Sequence, residues 1–268
     1  MAYERIRALI WGKTYPELSW RYVETVCTGA VREDGSPIRL YPVPLRYLDG
    51  SKQYELYDWI EVPVEKSTAD PRPESFKVKG DAIQVVGHID TSDHWRLRSE
   101  VVFRDATWQF DSVAALKEAQ RSVSRSMGIV SVGAIEAVSV DFRPPEDEAA
   151  FREKWKEIEA QRDLFHPQYK ELEYLPYRIR LAWRCAGPCD ECAKTAHNMS
   201  VLDWGLLELA RKTGSPEKAA DRLRAITDPR AHDFRLFMGS FRLRQYQFGI
   251  IGLWYPKLAH QLDLLDQR

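Results

Sequence analysis

The chain has 268 residues, 44% of them hydrophobic and 29% charged, with 39 basic against 40 acidic side chains and a net charge of -1. These are globular proportions, enough for one large unit or two modest ones with a sizeable core, and they exclude a wholly disordered chain. The near-zero charge excludes bulk electrostatic recruitment of nucleic acid, so any such binding must come from a local patch.

The chain begins with β-rich runs at Ile6–Lys13, Tyr22–Val31, Ile38–Val43 and Trp59–Val64. Tyr15-Pro16, the hairpin signal Asp34-Gly35 and Asp49-Gly50-Ser51 separate them. Ser75–Val78 and Ile83–Ile89 read as further strands. This spacing predicts a small barrel or curled antiparallel sheet. A helix is expected over Asp111–Ser126, capped by Asp111, then strand over Ile129–Phe142 that returns to the first sheet and closes it. Pro144-Pro145 is the clearest punctuation and divides a barrel-like part, residues 1–143, from a second part, residues 144–268. A charged helix follows over Glu146–Asp163. Asp141 to Glu173 holds ten acidic and six basic residues, which reads as a solvated face. Then come a strand over Leu175–Trp183, a helix between Ser200 and Gly214 with Ser200 standing before Asp203 as a capping box, and a second helix opened by Ser215-Pro216. A final hairpin pairs Phe234–Phe241 with Tyr246–Tyr255. The expected fold class is α+β, an N-terminal OB-like barrel followed by a metal-stabilised α+β part.

The strongest chemical signal is Cys185-Ala-Gly-Pro-Cys189-Asp-Glu-Cys192-Ala-Lys-Thr-Ala-His197. Three of the four cysteines and an imidazole fall within thirteen residues, and Gly187 and Pro188 let the backbone turn so that the side chains converge. Thiolates are the ligands, and a bound cation lowers the thiol pKa enough to make them so. Three Cys and one His form a structural zinc set with no open position, so the metal is expected to hold structure. The competing cofactor is a 4Fe-4S cluster on four thiolates, with Cys27 as the remote fourth ligand in place of His197. The Cys-x3-Cys-x2-Cys spacing also resembles the radical-SAM motif. That family favours an aromatic where Glu191 stands and a preceding β/α alternation, and neither is present.

Two further constellations bear on ligands. Lys13, Tyr15, Glu24, Arg39, Asp70 and Arg72 sit at strand ends and in a proline-stiffened loop of the first part. They are candidates for a nucleotide or small-molecule pocket, with the salt-bridged rim of a barrel as the plain alternative. Cys27 as a nucleophile would need His88 or His94 as its base. In the second part, Arg178, Arg180 and Arg184 share one face of a strand whose other face is Tyr177, Ile179, Leu181 and Trp183. Arg242 and Arg244 interleave with aromatics in a stretch, Arg230 to Lys257, of five basic residues and one acidic. These five arginines are candidates for phosphate contacts. No run of apolar residues is long enough to span a membrane, and the N-terminus lacks an apolar signal region, so a cytoplasmic location is expected.

Lys13-Thr14-Tyr15-Pro16, Glu24-Thr25-Val26-Cys27-Thr28, Arg39-Leu40-Tyr41-Pro42-Val43 and Asp70-Pro71-Arg72-Pro73-Glu74-Ser75 together resemble an uncharacterised bacterial protein family. His197-Asn198-Met199, Leu202-Asp203-Trp204 and Gly252-Leu253-Trp254-Tyr255-Pro256 are similar to its C-terminal end. The first part also faintly resembles the dual OB-type barrels of bacterial conflict systems, and OB barrels often bind single strands. The leading expectation is a metal-containing protein of a bacterial defence or repair system that binds single-stranded DNA or RNA. The alternatives are an enzyme with a pocket in the barrel and an iron-sulfur redox or sensor protein using Cys27, Cys185, Cys189 and Cys192.

Overall fold

The computed structural model describes residues 3–68, 70–160 and 170–258. In the first part, β1 (Glu4–Lys13), β3 (Val23–Arg32), β4 (Pro37–Val43), β6 (Ser75–Val78) and β5 (Asp58–Lys66) run side by side in that order, and β5 pairs back onto β1. The result is a closed five-stranded barrel. All its pairings are antiparallel except β4 with β6. This order, with one parallel pair, makes the barrel OB-like. The short β2 (Glu17–Ser19) extends β3, and β7 (Gln84–His88) adds to the outer edge of β5. Ile6, Ala8 and Ile10 of β1 fill the interior with Val26, Ala30, Ile38, Leu40, Ile60 and Val62.

The alternating residues Leu9 and Trp11 are equally buried, because the outer face of β1 is covered by the second sheet. A strand buried on both faces loses its period of two. That second sheet has the order β11 (His197–Ser200), β10 (Tyr177–Cys185), β9 (Met127–Phe142), β12 (Arg235–Phe241), β13 (Arg244–Trp254), with β8 (Gln109–Phe110) parallel to β9. β9 serves two partners in turn. Met127–Ser131 pairs with β12, and Val132–Phe142 pairs with β10. The helices α2 (Val113–Val123), α5 (Trp204–Thr213) and α6 (Pro216–Ile226) cover this sheet through Leu116, Leu206, Ala210, Ala219 and Leu223. The charged α3 (Pro145–Ala160) lies apart, with Ile158 packed on Leu18 and Val23 of the barrel.

An aromatic layer joins the two sheets. Trp11 stacks on Phe237 at 4.4 Å, and Trp108 lies over both rings. Beside it runs a buried polar seam. Arg39 donates to the Ser126 hydroxyl and carbonyl at 3.2 and 3.1 Å, and Glu74 accepts from the Ser126 hydroxyl at 2.6 Å. Arg72 is bidentate on Asp70 and also reaches the Ser240 carbonyl. Buried charges persist only when partnered in this way.

Several expectations are corrected here. Ile129–Phe142 does not close the first sheet; β5 closes it, and β9 belongs to the second sheet. The structural break therefore lies ahead of β8, and Pro144-Pro145 only turns β9 into α3. Ser112, not Asp111, caps α2, its hydroxyl accepting from the Ala115 amide at 3.2 Å. Asp203 itself caps α5, accepting from Leu206 at 2.9 Å, so Ser200 plays no part in that cap. The helix α1 (Ser92–Val102) was not expected. It begins with three left-handed residues, Asp93, His94 and Trp95, a costly start that buries the Trp95 ring against Trp254. The last turn expected for the acidic helix, residues 161–163, lies outside the described residues.

Candidate metal centre

The cysteine segment folds as a connection between two paired strands. β10 ends at Cys185, and β11 begins at His197, whose backbone neighbour across the ladder is Trp183. Between them Cys189 immediately precedes α4 (Asp190–Lys194), and Cys192 sits within that single turn. This local path brings the four candidate ligand atoms within 4.8 Å of one another. His197 Nε2 lies 3.5 Å from Cys185 Sγ and 3.6 Å from Cys189 Sγ, and the sulfurs of Cys185 and Cys192 are 3.4 Å apart. None of the three cysteines is in a disulfide. The group can hold a metal ion.

The surroundings suit thiolate ligands. The Val113 amide, at the start of α2, donates to Cys185 Sγ at 3.3 Å, and the Cys185 amide donates to Cys192 Sγ at 3.4 Å. Such N–H···S bonds fix the sulfurs and spread their charge. Burial pushes the Cys185 and Cys192 thiols up and lowers the pKa of His197, which keeps its imidazole neutral. At Cys189 burial also acts upward, but hydrogen bonds from the Cys192 amide and the neighbouring thiols outweigh it and hold that thiol low. Three sulfurs this close deprotonate together only around a cation. The His197 ring rests on Trp183 at 5.0 Å, and its Nδ1 faces Glu191 at 3.9 Å. Glu191 is held in turn by Lys117. The loop fits tightly: a Cβ on Gly133 would stand 2.5 Å from the Cys185 carbonyl oxygen.

The part of the chain that builds this centre, residues 107–268, matches a domain family of unknown function, DUF8757. The chain belongs to the DUF8757 family. Residues 4–104 match a second domain of unknown function, DUF8758, which spans the barrel. The boundary between these matches falls where the sheets divide, ahead of β8 and well before the proline pair. No curated protein matches the chain.

Within this DUF8757 protein Cys27 lies elsewhere. It sits on β3 with its amide bonded to the Thr14 hydroxyl at 3.1 Å. Burial raises its thiol pKa, and the nearby Arg39 and Arg72 oppose the rise. The four-atom group forms with His197 and without Cys27. Neither histidine considered as its base attends it: His88 is bonded to Asp58 at 2.7 Å and His94 to the Lys257 carbonyl at 2.9 Å.

The six barrel candidates do not converge. Arg39, Asp70 and Arg72 are buried in the seam between the sheets. Glu24 is wholly buried and held by Arg46 at 2.7 Å. Lys13 bonds to the Tyr54 carbonyl at 2.9 Å and lies over the Trp204 ring. Tyr15 alone borders a large cleft.

The five arginines fall into two groups. Arg178, Arg180 and Arg184 share one face as expected, but each is engaged within the fold, by Asp147, Asp141 and Glu136 respectively. Arg184 also bonds to the Cys192 carbonyl, so it braces the cysteine loop. Arg242 and Arg244 stand at the exposed tip of the β12–β13 hairpin. Among the described residues Arg242 has no carboxylate partner, and Arg244 reaches only Gln247, at 3.5 Å. The contributions of Val113 and Glu191 to the centre were missed by sequence reasoning. Val113 acts through its amide, which every residue but proline carries, so its identity held no signal.

Proposed function

We propose that this is a zinc-stabilised protein that binds single-stranded nucleic acid through the β12–β13 hairpin. The observation that carries the reading is the hairpin tip. Phe241, Leu243 and Tyr246 are 44%, 91% and 60% exposed, interleaved with the two uncommitted arginines Arg242 and Arg244. Exposed rings beside free guanidinium groups suit bases and phosphates, stacking on the one and pairing with the other. The outer face of β1 is not available for this task, since Trp11 packs there against Phe237 and Ile251 of the second sheet.

The size of the ligand cage favours zinc. Zn–S bonds of about 2.3 Å and Zn–N bonds of about 2.0 Å in a tetrahedron set sulfur–nitrogen edges of about 3.5 Å. The two observed sulfur–nitrogen separations are 3.5 and 3.6 Å, and the Cys185–Cys192 sulfur edge, at 3.4 Å, is shorter than the roughly 3.8 Å such a tetrahedron sets. A cubane places four irons and four sulfides between its thiolates and needs a wider cage. With four protein ligands the zinc has no open position for substrate, so its part is to fix α4 and the β10–β11 edge.

The test is fluorescence anisotropy of labelled oligo-dT and oligo-U at low salt. The expected result is binding at micromolar protein that weakens steeply as salt rises. Arg242→Glu with Arg244→Glu abolishes it while metal content and melting temperature hold. Absence of binding by the folded, metal-loaded protein at low salt overturns the reading.

A further inference from the structure

We propose that the cleft between the barrel and α3 is a binding site for a small aromatic anion, a planar ring carrying a carboxylate or phosphate. The cleft has a volume of about 630 Å³, within the range of small-molecule sites. It opens where the β1–β2 segment of the barrel, α3 and the chain leading into β10 meet over the second sheet. Its walls present four rings, from Tyr15, Phe151, Tyr174 and Tyr177. Flat surfaces of this kind accept a planar ligand by stacking.

One residue gives the site its polarity, Arg143. It is half-buried, its Nε donates to the Tyr177 carbonyl at 3.3 Å, and its guanidinium lies over the Tyr174 ring at 5.9 Å. Its Nη groups make no hydrogen bond among the described residues; the nearest carboxylate, Asp147, is 4.0 Å away and already bonded to Arg178 at 2.9 Å. A guanidinium with one side engaged and the other free is prepared for a bidentate anion. The other charged groups of the wall are committed or peripheral. Lys154 is bonded to the Leu18 carbonyl, Glu173 is paired with Arg211, and Glu17 is exposed.

This site is separate from the hairpin tip, and its test is independent of the nucleic-acid reading. The full metal-loaded chain is titrated calorimetrically with the four common nucleoside monophosphates and with aromatic carboxylates such as indole-3-acetate, which distinguishes the two sources of the anion. Inorganic phosphate and an uncharged nucleoside serve as comparisons. The expected result is saturable binding of at least one ring-bearing anion, with phosphate alone and the uncharged nucleoside far weaker. Arg143→Met weakens it by roughly tenfold or more, as expected for a charge-assisted contact. Arg242→Glu leaves it unchanged. No binding of any of these anions at millimolar concentration, equal binding of the uncharged nucleoside, or affinity indifferent to Arg143→Met would overturn the proposal.

Discussion

His197 Nε2 lies 3.5 Å from Cys185 Sγ although twelve residues separate them in the chain. The contact follows from the strand ladder, in which Trp183 of β10 is paired with His197 of β11, so that the end of one strand faces the start of the next. The connecting loop then needs only one helical turn to swing Cys189 and Cys192 inward. Backbone pairing thus brings the four side chains to one place, where the group could hold a metal ion.

Val113→Pro tests the shell around that group. Val113 is the first residue of α2, where proline is tolerated, and Ser112 before it is extended, as a residue preceding proline prefers. The substitution deletes the amide that donates to Cys185 Sγ. Zinc affinity, measured by competition with a chromophoric chelator, is expected to fall by about tenfold or more. The circular dichroism spectrum of the metal-loaded protein should be unchanged.

Gly133→Ala tests the fit of β9 against the cysteine loop. The added Cβ would meet the Cys185 carbonyl at 2.5 Å and the Ala186 Cα at 3.0 Å, both backbone atoms. The strands must separate, at a cost of about 1–3 kcal/mol. Urea unfolding of the metal-loaded protein should report that loss, and metal release by chelator should be faster than in the wild type.

Arg72→Met tests the seam that joins the two sheets. Asp70 and Arg72 are a buried bidentate pair whose arginine also reaches across to the Ser240 carbonyl. Removing the cation strands a buried carboxylate and is expected to cost about 3–5 kcal/mol in urea unfolding. Adding Asp70→Asn to Arg72→Met should recover part of that loss, because the stranded charge is then gone.

Asp203 gives the protein a pH dependence of defined sign. Burial raises its carboxyl to about 6, with the Leu206 amide and Lys13 opposing the rise. An unfolded aspartate titrates near pH 3.9, so between about pH 4 and pH 6 the folded state binds the extra proton. Its contribution is therefore fully present below about pH 4 and is lost as pH rises through 6. Asp203→Asn keeps a good helix cap and removes the titration. The stability of the wild type relative to Asp203→Asn should fall by roughly 2–3 kcal/mol from pH 4 to pH 7. A constant difference across that range would show that Asp203 is not held in a raised state.

How much of this was legible follows from sequence distance. The candidate metal ligands were visible because all four lie in one short stretch, and the β10 alternation was visible because Tyr177, Ile179, Leu181 and Trp183 face one core. The role of Arg178, Arg180 and Arg184 was not. Their partners Asp147, Asp141 and Glu136 sit on other elements, and nothing local separates an arginine facing a carboxylate from one facing solvent. The destination of β9 was hidden for a related reason. A run rich in Val, Ile and Ala fits either sheet, and the pairing is decided by which edge lies near. The left-handed start of α1 at Asp93, His94 and Trp95 breaks local preference outright and is held by the distant Trp254.

The most direct test of the account is metal analysis together with a visible spectrum on protein purified without oxygen. The account predicts a colourless protein with a single zinc per chain, retained in Cys27→Ser and lost in Cys192→Ser. A brown protein containing iron and sulfide, whose colour disappears with Cys27→Ser, would contradict it.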